Sequence, residues 1–133
     1  MPSSSSHDVS ASHIDELPQL WDGFAKMVRQ GLGIQGFGVQ IMDLPPDYTT
    51  KSHDETATGQ EELYMALRGS GAVLIENPPE ESVPLDADHL ARIGPSVARR
   101  LQSGPDGMRV LCVGGVPGAP YRAPEWTDSG TRD

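Results

Sequence analysis

The apolar residues of this chain come in short runs, each cut off by glycine or proline, and that punctuation limits what the chain can fold into. Phe24-Ala-Lys-Met-Val-Arg29 alternates and stops at Gln30-Gly31, while Phe37 to Leu44 stops at Pro45-Pro46. Leu63 to Leu67 runs into Gly69-Ser-Gly71 and Ala72 to Ile75 resumes at once, a pattern that predicts a β-hairpin. Leu90 to Ile93 precedes Gly94-Pro95, and Arg109 to Val113 precedes Gly114-Gly115. The 15 glycines and 12 prolines, about a fifth of the chain, are spread through it and not gathered into one linker. Val-, Leu- and Ile-rich segments at this spacing predict an all-β sandwich or small barrel. A helical turn over Glu16–Trp21 is opposed by Pro18.

Length and charge narrow the function classes. At 133 residues there is enough chain for one domain with its own core. Ten Lys and Arg stand against 19 Asp and Glu, a formal net charge of −9. Nucleic acid is therefore not an expected partner, since backbone affinity comes from clustered cations. No apolar run approaches the roughly 20 residues that span a bilayer, so no membrane partner is expected either. The Ser-rich start lacks the basic and apolar regions of a secretory signal. The single cysteine, Cys112, excludes an internal disulfide and a cysteine-rich zinc site. The expected compartment is the cytoplasm. Residues 1–13 are expected to be a disordered leader, 14–123 a single β-barrel domain and 124–133 a polar tail.

Two stretches resemble the motifs of the cupin superfamily. Gly59-Gln-Glu-Glu-Leu-Tyr-Met-Ala-Leu-Arg-Gly-Ser-Gly71 looks like the acidic strand of the first motif, with Glu62 six residues ahead of Gly69. Pro95-Ser-Val-Ala-Arg-Arg100 keeps the spacing of the second, and Val113 to Gly118 is similar to the closing strand of small single-domain members. The resemblance covers roughly residues 20–122. It implies an all-β, cupin-type double-stranded β-helix, a jelly-roll barrel of two antiparallel sheets, and a homodimer. Members that bind a metal offer two His and a Glu from the first motif and one His from the second. Counted onto this chain, those positions hold His53, Glu55, Glu62 and Arg100, with a two- or three-residue insertion between Glu55 and Glu62. In another register His53 fills the second His slot and Lys51 the first.

These residues support three readings. The first is a small-molecule-binding protein whose pocket in the barrel mouth is lined by His53, Glu62, Tyr64 and Arg100. In it, Arg100 anchors a carboxylate or sugar-like ligand. The second is a metal-dependent enzyme of dioxygenase or isomerase type. There one divalent transition metal is held by His53, Glu55 and Glu62, a donor set suited to a hard or borderline ion. The third is a non-catalytic assembly protein with a vestigial pocket. Glu61 and Glu62 face opposite sides of a strand, and motif spacing turns Glu62 inward with Tyr64, although Leu63, Met65 and Leu67 share the parity of Glu61. Arg99 is expected at the surface, and Cys112 as an inert buried thiol. His89 is expected in an exposed turn. The glycines at 31, 33, 36 and 38 do not make a dinucleotide-binding turn.

Overall fold

A computed structural model describes residues 3–4 and 7–129. The strands, in chain order, are β1 (Ser3–Ser4), β2 (Ser10–Ala11), β3 (Gln19–Leu20), β4 (Ala25–Lys26), β5 (Gly38–Leu44), β6 (Glu61–Ile75), β7 (Glu81–Leu85), β8 (Leu90–Ile93) and β9 (Arg99–Gly115). Two short α-helices, α1 (Val28–Leu32) and α2 (Trp126–Ser129), and one 3-10 turn at Ile14–Glu16 complete the described chain. All strand pairing is antiparallel, and the main sheet runs β3-β4-β5-β9-β6-β7, with β8 also on β6.

The long strands β6 and β9 pair along nearly their whole length, from Glu61↔Gly115 to Ile75↔Arg99, with register shifts at Ala66/Arg68 and Gly69/Gly71. The ribbon is irregular there, and its two ends recruit different neighbours. One end carries β5 and β8, and the other carries β7. This is the jelly-roll barrel expected from the sequence. The predicted hairpin at Gly69-Ser-Gly71 is not formed: β6 continues through it. Gly69 has φ of 72°, and a Cβ there would collide with the Gly107 carbonyl. The glycines mark a close approach of β6 to β9, not a chain reversal. The run at Phe24–Arg29 also differs. Its strand is only Ala25–Lys26, and Val28 starts α1, which Gly33 ends in a left-handed C-cap.

The core follows from strand alternation. Tyr64 and Ala66 of β6, Met42 and Leu44 of β5, and Met108, Val110 and Cys112 of β9 point inward and form one cluster with Leu85 and Ile93. Their partners across the sheet share parity (Tyr64↔Cys112, Met42↔Val110), so whole rows of side chains face the interior. A smaller cluster of Leu17, Val28 and Ile41 packs beneath α1.

Within the expected leader, β2 pairs with β1, and Ser10 Oγ donates to the Leu32 carbonyl at 2.6 Å. Met1, Pro2, Ser5 and Ser6 of that segment lie outside the described residues, as do the last four residues of the expected tail. In the described part of the tail, Gln30 Nε2 donates to the Thr127 carbonyl at 2.6 Å, and Trp126 stacks on Trp21 with centroids 5.6 Å apart. No helix among the described residues is long and apolar enough to cross a membrane.

Candidate functional site

The inward row nearest one end of the barrel reads Gly38, Gly114, Glu62 across β5, β9 and β6. The next row reads Gln40, Cys112, Tyr64, and the next is apolar. Polar groups therefore concentrate at that end, where a cavity of about 410 Å³ opens. Its walls include Phe24, Met27, Met42 and Leu101, and its rim carries Trp21, Tyr48 and Trp126. Apolar walls closing on a few polar groups are the usual make-up of a small-molecule site.

The polar floor is built by three segments. The chain at 49–55 runs beside the start of β9. His53 and Arg99 exchange two backbone hydrogen bonds there, 3.0 and 2.9 Å, which sets their side chains on one face. A turn at 56–59 absorbs the extra residues between Glu55 and Glu62. Within it, Thr58 Oγ1 donates to Glu55 Oε1 at 2.9 Å. Strand β6 supplies Glu62. His53 Nε2 then lies 3.4 Å from Glu55 Oε2 and 3.6 Å from Glu62 Oε1.

Glu62 Oε1 accepts from Arg99 Nη2 and from the Tyr64 hydroxyl, both at 2.5 Å. Burial alone would raise the Glu62 pKa. The hydrogen bonds from His53, Tyr64 and Arg99, with the Arg99 charge, outweigh it and bring the carboxyl down to about 2. Burial, reinforced by the Glu62 charge and only partly countered by Arg99, pushes the pKa values of Tyr64 and Cys112 well up. Cys112 Sγ stands 3.5 Å from Glu62 Oε2 as a protonated thiol.

Arg99, expected at the surface, is 0% exposed. Its remaining donors go to the Tyr64 hydroxyl at 3.3 Å and to the Val97 and Gly94 carbonyls at 2.8 and 3.3 Å. The second motif-like segment thus wraps a guanidinium. Arg100, expected in the pocket, points the other way and pairs with Glu76 and Glu80 on the outside, at 2.8 and 2.7 Å. The reason is alternation. Leu101 and Ser103 are buried with Arg99, while Gln102 is exposed with the parity of Arg100. That parity was present in the sequence as the signal for Arg99. Lys51 lines the rim and is exposed. His89 is exposed in the Asp86–His89 turn, its Nδ1 2.8 Å from Asp86. Glu61 faces out and pairs with Arg92. Gln60, and Arg29 from α1, also line the cavity and were given no role at the level of sequence.

His53, Glu55 and Glu62 each offer a donor atom within 4.8 Å of the others. Donors bound to one ion at about 2.1 Å stand about 3.0–3.5 Å apart, close to the two separations from His53. The donor set therefore fits a divalent cation. Arg99 shares Glu62 Oε1 and offsets its charge.

No family model matches the sequence, and no curated protein matches it significantly. Solved structures do resemble it. A cupin protein from Bacteroides fragilis is 21% identical with a TM-score of 0.65, over 87% of this chain and 91% of that one. A variant of oxalate decarboxylase from Bacillus subtilis is 19% identical with a TM-score of 0.59, and vicilin from tomato is 20% identical with a TM-score of 0.55. These matches cover 77% and 68% of this chain, which spans only 27% and 25% of the two larger proteins. The chain has the cupin fold.

Proposed function

We propose that this protein binds a small organic molecule in the cavity at the open end of its barrel. The observation that carries the reading is the cavity itself, about 410 Å³, with apolar walls that converge on His53, Glu55 and Glu62. In a low-dielectric pocket, a few fixed polar groups orient a ligand whose body the walls bury. The anchoring role expected of Arg100 does not survive its position outside the cavity. Arg99 instead acts behind the floor, holding Glu62 ionised and in place. The test is a fragment screen by NMR on the full chain. Compounds that shift resonances of His53, Tyr64 and Leu101 together support a pocket ligand. A screen in which no compound perturbs these residues removes the reading.

A second reading, a metal-dependent enzyme, is favoured by the convergence of one imidazole and two carboxylates. Its ion would be held by His53, Glu55 and Glu62, and when bound it would supply Lewis-acid or redox chemistry. Elemental analysis of protein purified without tag or chelator tests it. About one equivalent of a single divalent metal, lost in Glu62→Gln, supports this reading. Protein that stays metal-free after incubation with Fe(II), Mn(II), Ni(II) or Zn(II) removes it. The homodimer forms part of the proposal as well. Leu67 and Leu90, 44% and 58% exposed, share the outer face of β6 and β8 and leave apolar surface for a second copy.

A further inference from the structure

The floor of the cavity has a second polar corner, beside the His53–Glu55–Glu62 cluster, and it rests on two glycines. Gly38 and Gly114 are direct partners across β5 and β9, with their missing side chains on the inward face. A Cβ on Gly38 would lie 2.8 Å from the Tyr121 hydroxyl, and a Cβ on Gly114 would lie 2.7 Å from Gln60 Oε1. The absence of both side chains lets a phenol and a carboxamide settle on neighbouring positions of the sheet. The Arg29 guanidinium stands beside the Tyr121 hydroxyl. Arg29 has no carboxylate partner among the described residues, whereas Lys26, Arg92, Arg99, Arg100 and Arg109 each have one.

Gln60 is the informative member. It is 5% exposed, it lines the cavity, and its Nε2 has no hydrogen-bond partner among the described residues. A buried donor left unmet is costly, so such atoms in folded proteins nearly always meet an acceptor from protein, water or ligand. An amide N–H donor and a guanidinium that line one cavity together ask for an anionic acceptor. A dianion is disfavoured, because the carboxylates of Glu55 and Glu62 line the same cavity.

We propose that this corner, formed by Gln60, Arg29 and Tyr121 over the Gly38–Gly114 pair, receives the carboxylate of a small monocarboxylic acid, whose body lies along the apolar walls. The proposal rests on the pocket reading and names the ligand class for it. Benzoate, benzamide and benzylamine share one body and differ in the head group, so they are suitable probes for titration by calorimetry and NMR on the full chain. Benzoate is expected to bind more tightly than the other two. Arg29→Gln should weaken it at least about tenfold and Gln60→Met about fivefold, with circular dichroism unchanged. Arg29→Lys, which keeps a cation, should recover part of the loss and covers the case in which Gln60→Met does not fold. Benzoate binding that is equal in all variants overturns the corner and leaves the pocket standing, as does a preference for benzylamine. Failure of all three probes and of the wider fragment screen overturns both.

Discussion

Glu62 is a carboxylate inside a protein, and what keeps it charged is a set of three neighbours working against burial. Its folded-state pKa, about 2, lies below the ordinary value of 4.5. As pH falls, the unfolded chain therefore takes up the proton first. The stabilisation is complete above about pH 4.5 and disappears as pH falls toward 2, to a total of about 3 kcal/mol. Asp43 is depressed in the same direction: burial opposes it, but hydrogen bonds and charge from Arg109 and Lys26 prevail. Only the difference between wild type and Glu62→Gln isolates Glu62. Urea unfolding between pH 6 and 2.5 should show a shallower pH dependence in the variant, and identical slopes would contradict the assignment. The adjacent arginines give a second prediction. Arg99→Met strands a buried carboxylate and should cost about 3–5 kcal/mol. Arg100→Met breaks only outer-surface pairs and should move the urea midpoint far less. The double variant Glu62→Gln/Arg99→Met should regain much of what Arg99→Met loses, because neither charge is then left alone.

At the scale of elements, the irregular β6–β9 ribbon decides where everything else goes. Gly69 lies at its register shift, with a positive φ and the Gly107 carbonyl against it. Gly69→Ala should destabilise by about 1–3 kcal/mol in thermal unfolding. Gly36→Ala, at an open position with no positive φ, should be nearly neutral, and equal effects would mean that the ribbon does not depend on Gly69. The positions of β5, β8 and the two halves of β6 were legible in the sequence because apolar alternation is a local signal. Their connection was not: a glycine pair reads the same whether the chain reverses or two strands press together. The inward turn of Glu62 was legible from motif spacing, against the alternation of Leu63, Met65 and Leu67, which lie on the outer face. The swap of Arg99 for Arg100 came from trusting spacing where the parity of Leu101 was the better guide. Gln60 and Arg29 left no local trace, since they meet one cavity only where α1, the start of β6 and Tyr121 close on it.

At the scale of the molecule, one end of the barrel is polar and open and the rest is packed, a division of labour common to small barrels that hold ligands. The outer face of β6 and β8 carries the exposed Leu67 and Leu90 beside the Glu61–Arg92 ion pair. Light scattering should give a dimer mass, and Leu67→Asp combined with Leu90→Asp should give a monomer with an unchanged far-ultraviolet spectrum. A monomeric wild type would rule the interface out. The rim holds one more consequence. The chain has two tryptophans, and both line the cavity, stacked on each other with an interplanar angle of 21°. Trp21 comes from the β3–β4 turn and Trp126 from α2, so the stack joins two segments far apart in sequence. All indole emission from this protein therefore originates at the entrance to the site. A molecule that enters, or a loop that shifts to admit it, changes the colour or yield of that light directly. The protein is its own optical probe, and occupancy can be followed in real time without a label.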